Sequence, residues 1–218
     1  MHMMKKSLLL AISLLVGLTV QAQNHYHGQR TSLFEVLPVD RNDIIFLGNS
    51  ITDGGEWSEI FENPNCKNRG ISADRSEWVL ERLDPIVKGQ PKKLFLMIGI
   101  NDLAVGVPRE QVVENIGKIL DRFAQDSPRT KCYVQSMLPV NGKQFSRHSG
   151  HYAHSEAIRW INQQLKALCA ERKIPYIDLY SALVNEEGLL DAAYTNVGLH
   201  LLGAGYLVWK ALLTPYVK

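Results

Sequence analysis

Four residues of the types used in acyl transfer stand at separate points of this sequence. Ser50 lies in "FLGNSITDGGEW" (46–57), where an apolar stretch ends and a glycine-rich turn begins. Gly70 lies in "NRGISAD", Asn101 in "GINDL" and His200 in "YTNVGLH". Serine becomes a nucleophile when a base takes its proton, and histidine is the side chain best suited to that near neutral pH. The set therefore indicates acyl transfer through a serine.

The same residues can supply donors for an oxyanion. A tetrahedral intermediate needs such donors, and the loss of one lowers kcat by roughly 10²–10³. We expect the main-chain N–H groups of Ser50 and Gly70 and the side-chain NH₂ of Asn101 to fill this role. The structural alternatives are a helix cap at Ser50, a turn glycine at Gly70, an amide bonded to its own loop at Asn101 and a buried core histidine at His200.

The elements that must position these residues alternate between strand and helix. Such alternation predicts an α/β domain with a parallel sheet, whose ligands bind beyond the carboxyl ends of the strands. Residues 23–40 are predicted to be an extended lead-in. Strands are predicted at 43–48, 66–70, 93–99, 131–138 and 174–179, and the clearest amphipathic helices at 108–125 and 155–172.

Residues 1–22 have the pattern of a secretory signal peptide. Lys5 and Lys6 precede an apolar run over 8–20, and "VQA" ends at Ala22. The run is too short to span a bilayer comfortably, although an uncleaved anchor is the alternative. We therefore expect export to the periplasm or the medium, no stable membrane anchor after cleavage, and a single domain over 23–218.

Charge and cysteine content exclude several classes of partner and cofactor. Residues 1–22 contain two lysines and no acid, so 22 basic and 22 acidic residues remain after their removal. A net charge of zero does not favour nucleic acid as a partner. Cys66, Cys132 and Cys169 have no metal-binding spacing and are expected to be buried thiols, with a single disulfide as the alternative that export permits.

The loop "RHSGHYAH" brings His148, His151 and His154 close together in sequence. A zinc site would need cysteine or carboxylate company that this stretch lacks, so a polar surface loop is the favoured interpretation. The loop follows the fourth predicted strand and can border the substrate. We expect neither a metal nor any other cofactor.

In this order, the four blocks resemble the SGNH hydrolases, also called GDSL-type lipases and esterases. "GNSIT" resembles the serine block of that family, "NRGIS" its glycine block, "GINDL" its asparagine block and "VGLH" its histidine block, over about residues 43–207. The resemblance implies a three-layer α/β/α, flavodoxin-like fold with about five parallel strands. It also implies Ser50 as nucleophile, His200 as base, and Ser50, Gly70 and Asn101 as the oxyanion site.

The sequence departs from the family pattern at two positions. Asn49 replaces the aspartate that usually precedes the serine, which affects hydrogen bonding in the loop more than the chemistry. Val197 replaces the aspartate of the D-x-x-H pattern, which orients the imidazole. Three acceptors are candidates for that lost role: the side chain of Asn196, a main-chain carbonyl near Val197, and Asp191.

These observations predict a secreted serine esterase that removes a small acyl group, acetyl, from a carbohydrate through an acyl-serine intermediate. The resemblance is greatest to platelet-activating-factor acetylhydrolases and bacterial carbohydrate acetylesterases. A lysophospholipase or thioesterase of the same fold is the alternative within this class. Because Val197 removes the triad acid, a non-catalytic carbohydrate-binding module is the alternative from another class.

Overall fold

Strands and helices alternate along residues 25–218, which a computed structural model describes. The predicted signal peptide lies outside these residues. The strands are β1 (Ile44–Gly48), β2 (Cys66–Gly70), β3 (Lys93–Met97), β4 (Lys131–Gln135) and β5 (Tyr176–Ile177). The helices are α1 (25–36), α2 (Ser50–Asp53), α3 (Trp57–Ile60), α4 (Ser76–Glu81), α5 (Asp84–Gly89), α6 (Ile100–Ala104), α7 (Arg109–Asp126), α8 (Ser149–Tyr152), α9 (Ser155–Glu171), α10 (Tyr180–Leu183) and α11 (Gly203–Val217).

The five strands form one parallel sheet in the order β2-β1-β3-β4-β5. The chain moves outward from β1 to β2 and then returns past β1 to β3, so the strand order reverses between β1 and β3. In open parallel sheets a ligand site forms at such a reversal, beyond the carboxyl ends of the strands. Ser50 and Asn101 follow β1 and β3, the two strands at this point.

Helices cover both faces of the sheet, which confirms the predicted three-layer α/β/α class. On one face Phe46 of β1 stacks on Trp57 with ring centroids 4.2 Å apart, and Trp57 contacts Trp209 of α11 at 4.8 Å. On the other face α7 contacts α4, α5 and α9. Every residue of β1 and of β3 is buried, as expected for parallel strands covered on both sides.

The extended lead-in predicted near the start of the domain is wrong, because α1 forms there. Its residues have modest helix propensity, so tertiary contacts decide its conformation. Phe34 is buried, with the Arg69 guanidinium 4.9 Å from its ring centroid, and Nε2 of His27 lies 3.2 Å from Oδ1 of Asp74. Among the helices of residues 25–218, none is long and apolar enough to cross a membrane.

A buried ion pair connects the carboxyl ends of β1 and β2. Nε and Nη2 of Arg82 lie 2.8 and 2.7 Å from Oδ2 of Asp74. Nη2 also donates to the main-chain carbonyls of Arg69 at 2.9 Å and Gly48 at 3.3 Å. Both charged side chains are almost fully buried. One guanidinium therefore bonds both strand ends and the loop that contains Asp74.

The three cysteines are free thiols. Burial raises the pKa of Cys66 and Cys169 to about 11 and that of Cys132 to about 12. A thiol with such a pKa is protonated at neutral pH and is a poor nucleophile. The cysteines therefore have no place in the candidate chemistry.

Replacing Arg82 with Leu is expected to lower the free energy of unfolding by about 3–5 kcal/mol, because Asp74 would be left buried without its partner. Urea denaturation of wild type and R82L measures the change. Arg122→Leu is the matched control, since Arg122 pairs with two acids at the surface and should contribute at most about 1 kcal/mol. Equal losses in the two variants would contradict a special role for the buried pair.

Candidate active site

Ser50 begins α2, directly beyond the carboxyl end of β1. Oδ1 of Asn49 accepts the N–H of Ile51 at 3.0 Å, so the amide caps the short helix. Asn49 is buried, and its hydrogen bond stabilises the loop after β1, which is the role expected for the residue that replaces the usual aspartate. Oγ of Ser50 lies 2.9 Å from Nε2 of His200, although the two residues are 150 positions apart in the chain. The fold thus brings a hydroxyl and an imidazole into hydrogen-bonding contact.

A tight turn fixes the approach to His200. The hydroxyl of Thr195 donates to the carbonyl of His200 at 2.7 Å and accepts the N–H of Gly198 at 2.9 Å. Gly198 has φ +70, and a Cβ there would lie 2.2 Å from the carbonyl oxygen of Asn141. Only glycine combines this conformation with this close approach. The main chain before His200 is therefore well determined.

None of the three acceptors predicted to orient the imidazole contacts Nδ1 of His200. Asn196 is exposed, and Oδ1 of Asp191 accepts the N–H of Ala193. The carbonyl oxygen of Val197 accepts the hydroxyl of Tyr152 at 2.5 Å. Within residues 25–218 the His200 ring makes one hydrogen bond, the one to Ser50.

Another imidazole packs against His200 in place of a carboxylate. The His148 ring meets the His200 ring edge to face, with centroids 5.1 Å apart and planes at 80°. Burial, with smaller effects of His148, His151 and Arg147, lowers the pKa of His200 to about 4. The ring is therefore neutral at neutral pH and can accept a proton. Its low pKa also makes it a weaker base than a histidine paired with an acid.

Asn101 of α6 is held at both ends of its carboxamide. Nδ2 donates to the carbonyl of Asp74 at 2.9 Å, and Oδ1 lies 3.0 Å from Nε2 of His151. The amide nitrogen carries two hydrogens, so one remains available to a substrate. Because Oδ1 only accepts, the contact to His151 requires a proton on Nε2 of that ring.

Gly70 does not have the role that the sequence predicted. Its N–H donates to Oδ1 of Asn68 at 2.8 Å and is not available to an oxyanion. A Cβ at Gly70 would lie 2.2 Å from the main-chain nitrogen of Asp53. Glycine is therefore required here for the close packing of β2 against α2, and the assignment of Gly70 as an oxyanion donor is corrected.

Ala73 is the better candidate for that donor. It has φ +63, and in the described part of the chain its N–H has no hydrogen-bond acceptor. It lines the same cavity as Asn101. Glycine is the residue usually found at positive φ, so an alanine gives the sequence no visible sign of this conformation.

The loop over residues 147–154, here called the histidine loop, forms one wall of this cavity, which has a volume of about 570 Å³. The prediction of a polar surface loop is thus incomplete, because His151 is partly buried and bonded to Asn101. Trp78 also lines this cavity. Residues 25–218 contain no group of three or more histidine, cysteine or acidic side chains arranged to hold a metal.

Comparison with known proteins agrees with this geometry. The model of the GDSL-like lipase/acylhydrolase family matches residues 46–208. A GDSL esterase/lipase of Oryza sativa subsp. japonica is 26% identical, over 74% of this chain and 72% of the relative. The human platelet-activating factor acetylhydrolase IB subunit alpha1 is 24% identical, over 75% and 70%. A solved structure from Streptococcus pneumoniae, provisionally described as a platelet activating factor, has a TM-score of 0.83 at 29% identity, over 96% of this chain and 99% of that one.

The chain belongs to the GDSL-like lipase/acylhydrolase family, and the protein is an esterase or acylhydrolase. The resemblance inferred from the four sequence blocks is confirmed. Family membership also argues against a non-catalytic carbohydrate-binding module.

His200 is expected to titrate near pH 4 in an NMR titration of the folded protein, because burial disfavours its charged form. Val197→Asp should raise this pKa by about 1–3 pH units, since a nearby carboxylate stabilises the imidazolium. Val197→Asn offers an acceptor of similar size without the charge and should leave the pKa much lower. Equal pKa values in the two variants would show that residue 197 does not face the ring.

Proposed function

We propose that this esterase removes an acetyl group from a carbohydrate after export from the cell, through an acyl-serine intermediate. The observation that carries the proposal is the 2.9 Å contact between Oγ of Ser50 and Nε2 of His200. This contact lies beyond the carboxyl end of β1, where the strand order reverses, and Asn101 follows the neighbouring strand, β3. Export is supported by the signal-peptide pattern of residues 1–22.

Acylation begins when Nε2 of His200 takes the proton of Ser50 and Oγ attacks the ester carbonyl carbon. The resulting oxyanion accepts hydrogen bonds from the N–H groups of Ser50 and Ala73 and from Nδ2 of Asn101. Within residues 25–218 the N–H of Ser50 has no acceptor, because the first amides of a helix lack an intrahelical partner. The intermediate then breaks its bond to the sugar oxygen, which receives the proton held by His200.

Deacylation repeats these steps with water as the nucleophile. His200 takes a proton from the water, whose oxygen attacks the acyl carbon of Ser50. The second tetrahedral intermediate releases acetate, and the proton returns to the serine oxygen. No step requires a carboxylate to change its protonation state, so a serine–histidine pair completes the cycle.

The two cavities near the site support a small acyl group on a larger polar alcohol. One cavity has a volume of only about 10 Å³. It is lined by Asn49, Ile51 and Leu199, which are chain neighbours of Ser50 and His200. The cavity beside Asn101 is far larger and combines polar groups with the partly exposed ring of Trp78. The acetyl group also agrees with the name of the human relative.

The histidine loop is proposed to do part of the work of the absent triad acid. The His148 ring packs against the His200 ring and restricts its rotation, and the hydroxyl of Tyr152 donates to the carbonyl of Val197, three residues before His200. These contacts orient the imidazole without raising its pKa. His200 is therefore a positioned but weak base.

His151→Leu is expected to lower kcat for p-nitrophenyl acetate about tenfold with little change in KM, because the loss of one hydrogen bond releases the Asn101 amide. His151→Gln keeps a donor and should restore most of the rate. A rise in KM alone, or no rescue by Gln, would contradict a positioning role. Steady-state kinetics of the three proteins separate these results.

Release of acetate from a panel of acetylated sugars tests the proposed function. We expect wild type to release acetate and Ser50→Ala to lose the activity by at least about 10⁴-fold, since serine is the nucleophile. Ser32→Ala, an exposed serine on α1, is the matched control and should keep full activity. Equal rates for wild type and S50A would exclude the mechanism.

The same assay distinguishes the alternative substrates. Hydrolysis of lysophospholipids or acyl thioesters at rates well above those for every acetylated sugar would favour the lysophospholipase or thioesterase alternative. Both alternatives use Ser50 as the nucleophile. They differ in the alcohol or thiol and in the acyl group of the preferred substrate.

A further inference from the structure

Among the described residues, two arginines and no acidic residue line the cavity beside Asn101. Beside Asn101 it contains Arg75, Trp78, Arg147, His148 and His151. Burial lowers the pKa of both histidines in this wall, which favours their neutral form. The positive charge of the cavity therefore comes from Arg75 and Arg147.

Arg75 is held in place but has unused hydrogen-bonding capacity. Its guanidinium carbon lies 4.1 Å from the centroid of the Trp78 ring, which fixes the side chain through a cation–π contact. Its Nε is buried and has no partner within residues 25–218. The Nε is enclosed by protein, so a ligand in the cavity would meet the terminal nitrogens of the guanidinium.

Neither arginine of the cavity is neutralised by an acid. Across the described residues, neither Arg75 nor Arg147 forms an ion pair. The two aspartates that flank Arg75 and Asn101 in the chain are engaged elsewhere. Asp74 pairs with Arg82 at 2.7 Å, and Asp102 accepts the hydroxyl of Ser76 at 2.5 Å. Burial raises the pKa of Asp102, and the nearby charge of Arg75 opposes that rise, so the charge of Arg75 is partly compensated, whereas Arg147 forms no ion pair among residues 25–218.

We propose that the substrate carries an anionic group near its ester, and that Arg75 and Arg147 bind this group while Ser50 attacks the acyl carbon. A guanidinium presents paired N–H donors that match the oxygens of a carboxylate or a phosphate. The cavity volume of about 570 Å³ allows a sugar ring that bears such a group. This proposal rests on the proposed function and deepens it, because it names the chemistry of the alcohol.

Three matched substrates test the proposal. They are methyl glucoside, methyl glucuronoside and methyl glucoside 6-phosphate, each with one acetyl ester on the same secondary hydroxyl of the sugar ring. Acetate release is measured at about pH 8, where unpaired histidines are neutral. We expect kcat/KM to be about tenfold or more higher for at least one anionic substrate than for the neutral one, as hydrogen bonds to a charged group predict. The two anionic substrates separate a carboxylate from a phosphate.

The ratio of anionic to neutral kcat/KM is then measured in three variants. Arg75→Gln and Arg147→Gln should each reduce this ratio severalfold, and higher ionic strength should reduce it in wild type. Arg159→Gln, an exposed arginine of α9 that lines a different cavity, is the control and should keep the ratio. A wild-type ratio near one, or an unchanged ratio in both cavity variants, would overturn the proposal.

Failure of the proposed function gives a different result from failure of this inference. If the ratio is near one while Ser50-dependent acetate release persists, the anion proposal alone is wrong. If Ser50→Ala does not affect acetate release from any of the sugars, both are wrong.

Discussion

The buried pair of Asp74 and Arg82 is the interaction on which the site depends. Through Arg82 it bonds the carbonyls of Gly48 and Arg69, so the ends of two strands cannot separate without breaking it. The carbonyl of Asp74 in turn receives the amide of Asn101. A buried charge that loses its partner strongly destabilises the fold, so these contacts are expected to form together or not at all. The strand ends, the loop at Ala73 and the amide are thereby held as one unit.

The second half of the site comes from the later part of the chain. The histidine loop and the turn before His200 meet through the hydroxyl of Tyr152, which bonds the carbonyl of Val197. The loop also reaches the first half, since His151 contacts Asn101. Two loops far apart in sequence therefore close around one serine. The base is positioned by packing and main-chain contacts, and its low pKa follows mainly from burial, which no ion pair within residues 25–218 offsets.

The strands and the long helices could be predicted from the sequence because their apolar periodicity reflects burial directly. Ser50, Asn101 and His200 could be singled out because polar groups at the ends of parallel strands meet at one edge. Three features depended on tertiary contacts that periodicity does not record. α1 is helical because Phe34 and His27 find partners in the domain. Glycine is required at position 70 because a Cβ there would clash with the main chain of α2. Ala73 has a positive φ, which an alanine in the sequence does not indicate.

The contact at Gly70 divides the site into a fixed part and an adjustable part. Because β2 and α2 touch through main-chain atoms, the distance between the serine helix and the sheet is set by atomic radii. No side chain can be enlarged or trimmed there to move the nucleophile. The cavity walls at 73–78 and 147–151 consist instead of side chains on loops and short helices. A change of alcohol specificity, by evolution or by engineering, can therefore be made in those walls while the reacting serine keeps its position.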